Sequence, residues 1–147
     1  MNKRETVQAL LDSVQKGDFE NAKTMLADDF QFSGPTPEPI DRDAWLSMSA
    51  SLKTAFPDLD YHFRVVGTEG NVIQTTSQWN GTHRGSLDLT GRNMGVIPAT
   101  NRSFVANRDR TKITVKDNKI TSWVVKPTQG AGLMEILKQI DVKTPIM

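Results

Sequence analysis

Gly81-Thr82-His83-Arg84-Gly85 and, a short way on, Gly95-Val96-Ile97-Pro98-Ala99-Thr100 are the stretches on which the reading of this chain turns. The first closes a run from about Val72 to His83 that has the two-residue period of a strand. Thr75, Ser77, Trp79, Gly81 and His83 therefore look one way, and Gln74, Thr76, Gln78 and Asn80 the other. One face carries the aromatic ring and the imidazole; the opposite face carries amides and a hydroxyl.

Outward from that run the same period recurs. Leu59, Tyr61, Phe63 and Val65 alternate with Asp60, His62 and Arg64, which predicts a half-buried strand, with Gly67 to Asn71 as the turn that follows. Further strands are expected over about Arg102 to Val115 and Lys119 to Lys126, joined at Asp117-Asn118 by a tight hairpin, with every pair antiparallel. Ahead of the strands the period changes to that of helices. Val7, Leu10, Leu11 and Val14 form one stripe that Thr6 can cap and Gly17 can end. Asp18 can cap a second helix carrying Phe19, Ala22, Met25 and Leu26, followed by a short extended piece from Phe30 to Ser33. Asp41 can cap a third, in which Trp45, Met48, Leu52 and Phe56 share a face and Pro57 ends the run. The prolines at 35, 37 and 39 make the intervening segment a loop. Gly130 to Ile140 closes the chain with a short helix. Helices first and long strands afterward predict an α+β fold, a curved antiparallel sheet covered by N-terminal helices.

The chain has 147 residues, enough for a single domain over 1–147 with a core and a pocket together. Eighteen Lys and Arg against seventeen Asp and Glu leave a net charge of +1, so no strong field gathers nucleic acid or an anionic membrane. With no cysteine, disulfides and thiolate metal sites are excluded. The first residues lack the continuous apolar run of a signal peptide or a membrane span, and the expectation is a soluble, cytoplasmic protein. No cofactor or metal is expected either. The two histidines, His62 and His83, stand in no ligand spacing, and there is neither a phosphate-cradling glycine loop nor a nucleophile elbow.

The Gly81 to Gly85 and Gly95 to Thr100 motifs resemble those of the SnoaL-like polyketide cyclases of the NTF2-like superfamily. Gly17-Asp18, Leu26-Ala27-Asp28-Asp29-Phe30, Ala55-Phe56-Pro57-Asp58-Leu59 and the segment from Trp123 to Leu137 fall where that family has similar residues. The resemblance implies a cone-shaped barrel whose interior funnel takes an apolar ligand, and it points His83 toward that ligand, where an imidazole could hold a carbonyl or carry a proton. Without the resemblance, His83 reads as a histidine bonded to backbone at a strand end. The same resemblance puts the family's acid-base aspartate a few residues beyond the final tryptophan. Here Pro127 or Thr128 occupies that place, and no Asp or Glu occurs between Asp117 and Glu135. The cyclase mechanism thus loses its proton carrier.

Other candidates are weighed in the same way. Ser77, Trp79, Trp123, Trp45, Met48 and Thr128 could line the funnel, and tryptophans on such stripes are equally ordinary core. Arg108 could grip a carboxylate or enolate, or stand on a solvated sheet face or in a dimer contact. Asp109 faces away from Arg108 and Arg110 on a regular strand and, like Asp60 and Asp88, is given no role. The functional expectation is binding of a small, largely apolar carbonyl compound, with altered cyclase or isomerase chemistry as a possible extension. The alternative is a non-catalytic module that forms a homodimer or docks a partner through the outer sheet face. No nucleic acid or membrane partner is expected.

Overall fold

The computed structural model describes residues 2–34, 38–89, 95–126, 128–131 and 133–140. The loop prolines at 35 and 37, part of the stretch from 86 to 94, and Pro127 lie outside the described residues. Three helices come first: α1 (Lys3–Lys16), α2 (Phe19–Met25) and, after the strands β1 (Leu26–Ser33) and β2 (Ile40–Asp41), α3 (Arg42–Ala55). Then follow β3 (Arg64–Glu69), β4 (Val72–Ser77), β5 (Asn80–Thr82), β6 (Leu87–Leu89), β7 (Gly95–Ile97), β8 (Ser103–Val105), β9 (Asp109–Lys116), β10 (Lys119–Lys126) and α4 (Leu133–Gln139). The expected α+β architecture is present.

The caps follow the sequence with one change. α1 begins one turn earlier than expected, at Asn2, whose side chain takes the Glu5 N–H while Glu5 reaches back to the Asn2 N–H. Thr6 lies inside the helix. Gly17 ends it in the left-handed conformation that only glycine adopts without strain, φ 77°. Asp18 and Asp41 cap α2 and α3 as expected.

The main sheet has the strand order β2-β1-β10-β9-β4-β3. One expectation fails here: β1 runs parallel to β10, because β2, α3 and the strands up to β9 lie between the two in the chain, and no hairpin joins them to force the antiparallel direction. β1 also starts at Leu26, so Leu26 belongs to the sheet rather than to the α2 stripe. Asp117 and Asn118, at φ 52° and 63°, make the expected hairpin between β9 and β10.

Two long expected strands break, and for one shared reason. After Ser77 the chain changes neighbours: Gln78 N–H donates to Tyr61 C=O at 2.8 Å, and Trp79 C=O accepts from Ala106 N–H at 2.8 Å. β4 therefore stops, and β5 resumes against β8 in a separate two-stranded ribbon. The third expected strand breaks into β8 and β9 at the matching place. Leu59 to Phe63 likewise lies outside the ladder, joined to it at Asp60 and Asn80, with His62 at φ 50°. These breaks let the sheet curl over α1 and α3.

The concave side of the sheet holds the core. Val7, Leu10, Leu11 and Val14 of α1 pack there with Ile73, Ile113, Val115 and Ile120, and Ile136, Leu137 and Ile140 close the far end. Burial of this apolar surface is the main stabilising term, about 25 cal/mol per Å² removed from water. Among the described residues, no helix is long and apolar enough to cross a membrane.

Candidate functional site

The inner face of the central strands changes character along its length. Successive rows can be read from the register, because directly opposed residues of neighbouring strands share a face. Ile73, Ile113 and Trp123 form one row, and all are buried. The next row is Val65, Thr75, Thr111 and Val125, in which the two threonines are buried and the two valines at its ends are partly exposed. Beyond it Ser77 stands opposite Asp109, the serine buried and the aspartate half-buried. The face passes from apolar and closed to polar and half-open.

The polar end is short of partners. Thr75 is 2% exposed and its Oγ1 has no hydrogen bond. Thr111 stands opposite Thr75 and Ser77 lies two residues along the same strand, and on this face the Thr75 hydroxyl alone, among the described residues, is both fully buried and without a partner. A buried hydroxyl without a partner costs about 1–3 kcal/mol, a cost that Thr75 carries on this face. Burial raises the Asp109 pKa from its ordinary value, and the Thr128 hydroxyl near it offsets part of the rise. That hydroxyl also reaches Lys126 C=O at 3.3 Å.

A run of rings borders this end. Trp79 meets Tyr61 edge-on at 4.8 Å, Tyr61 stacks on Phe63 at 4.7 Å, and Phe63 meets Trp123 at 5.8 Å. Trp123 then packs on Trp45 at 5.1 Å, and Trp45 on Phe30 at 5.4 Å. Trp45 and Trp123 are buried, whereas Trp79 and Phe63 are partly exposed. Met48 packs against the same core from α3, also partly buried. Burial lifts the Tyr61 phenol far above its ordinary range and keeps it neutral.

His83 lies elsewhere, beyond the break at Gln78 and Trp79. Its ring is 0% exposed and faces Phe56 at 5.4 Å. Nδ1 accepts from Thr100 N–H at 3.2 Å and contacts Thr100 Oγ1 at 3.0 Å. A backbone N–H only donates, so the neutral ring carries its proton on Nε2, which has no hydrogen bond among the described residues. Burial lowers the His83 pKa, against a partial opposing pull from the Gly85 backbone. The glycine of this motif has a packing reason: a Cβ at Gly85 would sit 2.2 Å from Thr54 C=O, where the chain closes on the end of α3. Among the described residues, no carboxylate contacts the His83 ring, and no cluster of His, Asp and Glu could hold a metal ion.

Arg108 is exposed and stands on the outer side of the sheet. It lines two surface depressions, one of about 310 Å³ with His62, Arg64, Thr76 and Gln78, the other of about 480 Å³ with Arg110, Lys126, Thr128 and Gln129. The structure thus brings Ser77, Trp79, Trp123, Trp45 and Thr128 to the concave face or its rim, and leaves Arg108 outside it and His83 apart from it. Sequence reasoning passed over Thr75, Thr111 and Asp109 as site residues. Their signal was the alternation of Asp109, Thr111, Ile113 and Val115 against Arg110, Lys112 and Lys116 along β9.

Comparison with known proteins agrees with the fold. The SnoaL-like domain family matches residues 7–123. Among solved structures, a candidate SnoaL-like polyketide cyclase of Jannaschia sp. CCS1 superposes with a TM-score of 0.75 at 18% identity, over 97% of this chain and 93% of that one. IdmH, a candidate polyketide cyclase of Streptomyces antibioticus, does so with a TM-score of 0.71 at 21% identity, over 97% of this chain and all (100%) of that one. A candidate polyketide cyclase of Xanthomonas campestris pv. campestris gives 0.65 at 19% identity, over 94% and 96%. At these identities the likeness concerns the fold, the NTF2-like cone. The sequence has no significant match among curated proteins.

Proposed function

The chain belongs to the SnoaL-like domain family, and from that premise we propose that it binds a small, largely apolar carbonyl compound on the concave face of its sheet. The observation that carries the proposal is the buried Thr75 hydroxyl, which finds no partner in the protein, with the hydroxyl-bearing Thr111 and Ser77 beside it on the same face. A carbonyl oxygen accepts from hydroxyls, and the ring run from Trp79 to Trp123 offers an apolar surface beside them. The rings provide affinity and the hydroxyls provide orientation. In this reading His83 holds the strand end through Thr100 rather than touching the ligand.

The test uses 1-indanone, a flat ketone, and follows tryptophan fluorescence and melting temperature. Binding should quench the signal and raise the melting temperature, and Ser77→Ala combined with Thr111→Val should weaken it roughly tenfold, the loss of about one hydrogen bond's worth of free energy. Trp79→Ala should remove most of the fluorescence response. If a panel of aryl and alicyclic ketones changes neither signal in the wild-type protein, the proposal is wrong.

A second reading is association through the outer face. In its favour, Val66 and Val124 are 56% and 42% exposed there, among Gln74, Thr76 and a row in which Arg64, Arg110 and Lys126 flank Thr76. Such a face repels its own copy at low salt, so a homodimer formed through it should strengthen as salt is added. Light scattering that shows a monomer at every salt concentration would remove this reading.

A further inference from the structure

The two depressions on the outer side of the sheet gather cations that the fold itself does not pair. The smaller, of about 310 Å³, has Arg64, Arg108 and His62 in its wall with Thr76 and Gln78. The larger, of about 480 Å³, has Arg108, Arg110 and Lys126 with Thr128 and Gln129. Arg108 is common to both. The register explains the gathering: Arg64 stands opposite Thr76, Thr76 opposite Arg110, and Arg110 opposite Lys126, so one row crosses four strands on this face. With strands about 4.8 Å apart the row is about 14 Å long, and Arg108 lies two residues from Arg110 in the chain. Among the described residues, Arg64, Arg108, Arg110 and Lys126 stand in no salt bridge, and no carboxylate lines either depression. Asp60 is engaged by His62, whose Nε2 lies 3.3 Å from it while Nδ1 donates to Gln78 C=O at 2.8 Å. Asp109 is turned to the inner face opposite Ser77, where Thr128 meets it. On a chain whose net charge is +1, four cations in one place without a counter-charge make a local field, which concave walls concentrate.

From this arrangement we propose that the outer face holds a second binding site, for a small molecule that carries a diphosphate group. A single carboxylate would leave most of the charge unmet, whereas two linked phosphoryl groups, one on either side of Arg108, match it. A guanidinium binds phosphate oxygens through paired, charge-assisted bonds. Arg108 donates to both groups, Arg64 to the one in the smaller depression, and Arg110 and Lys126 to the one in the larger. Thr76, Gln78, Thr128 and Gln129 add neutral donors for the remaining oxygens. Both volumes fall within the range of about 300–1,000 Å³ usual for small-ligand sites, which leaves room for the organic body attached to the group. The site does not depend on ketone binding, since it lies on the opposite side of the same strands. It also differs from a paired face in its response to salt. Screening acts on every cation alike, whereas this site selects a diphosphate at constant ionic strength.

The experiment titrates sodium pyrophosphate into the protein by calorimetry, with sodium chloride holding the ionic strength constant, and repeats the titration with sulfate. Pyrophosphate should bind about tenfold or more tightly than sulfate, which offers one anionic group instead of two. Arg108→Gln should weaken it by about tenfold or more, and Arg64→Gln and Arg110→Gln several-fold each. Lys116→Gln removes the same charge from the same face at the far end of β9, where it lines neither depression, so binding should stay within about twofold. ADP and isopentenyl diphosphate, run in parallel, should both bind, and the tighter of the two tells a nucleotide from a prenyl source of the group. Pyrophosphate that binds no more tightly than sulfate, that is indifferent to Arg108→Gln, or that is weakened as much by Lys116→Gln overturns the site. If Arg108→Gln does not fold, the other two arginine variants decide, since no change in either overturns it as well.

Discussion

The surroundings of His83 and the row from Thr75 to Asp109 each hold a buried polar atom with no protein partner, Nε2 in the first and Thr75 Oγ1 in the second. What separates them is the packing around that atom. His83 is closed in by Phe56, by Thr100 and by the approach of Gly85 to the end of α3, so its orphan N–H is enclosed by a finished piece of core. The hydroxyl row runs out toward partly exposed side chains at Phe63, Val125 and Asp109. An unmet hydrogen bond in a closed place is a cost the fold carries, and one at the edge of an opening is an invitation to a ligand.

The sharpest way to break this contrast is to truncate a ring on each side. Phe56 is 0% exposed and packs on both His83 and Phe104, so Phe56→Ala should cost about 3–5 kcal/mol. Phe63 is partly exposed, and Phe63→Ala should cost about 1–2 kcal/mol, because less surface returns to water and less cavity is left. Urea unfolding with a common slope reads both. Equal losses would mean that the concave end is as closed as the His83 pocket.

Next in size is the opposite pH response of the two regions. The His83 pKa is lowered in the fold, so the unfolded chain takes up a proton near its ordinary value of about 6.5 while the folded chain does not. The stability this represents is fully present above about pH 6.5 and drains as the pH falls toward the lowered folded value. Asp109 behaves the other way. Its pKa is raised, so keeping it ionised costs stability at neutral pH, and the cost is relieved as the pH falls through the raised value toward about 3.9. His83→Gln should flatten the first slope, and Asp109→Asn should remove the second and melt no lower than wild type at pH 7. A wild-type melting temperature that stays level from about pH 8 to about pH 3.5, with neither variant changing it, would show that neither group is perturbed by its surroundings.

Much of this contrast was legible in the sequence, and the part that was not has a clear cause. Caps at Asp18 and Asp41, the hairpin at Asp117-Asn118 and the extent of β10 follow from local chemistry, because each depends on residues within one turn of itself. The break after Ser77 depends on Tyr61 and Ala106, which lie far off along the chain, and alternation alone could not reveal it. Carried through that break, the period appeared to put His83 on the same surface as Ser77. The parallel pairing of β1 with β10 was hidden for the same reason. Asp109 was correctly read as facing away from its flanking arginines; what the sequence withheld was that the face it turns to is the inner one, beside Ser77 and Thr128.

The smallest expected effect is the most telling about the row. Thr75→Val exchanges a hydroxyl for a methyl of nearly the same shape, at a position where the hydroxyl has no partner to lose. In a finished core, removing an unpaired hydroxyl spares its desolvation, and the change should be neutral or stabilising by up to about 1 kcal/mol. In a ligand-binding face the same change should leave the free protein as stable, or slightly more so, and weaken ketone binding several-fold, since a donor to the carbonyl is gone. Stability and binding then move in opposite directions on one substitution. Were Thr75→Val instead to destabilise the free protein by 2 kcal/mol or more, the hydroxyl would be satisfied within the fold, as by a structural water at a cost of that order, and the row would resemble the surroundings of His83 after all.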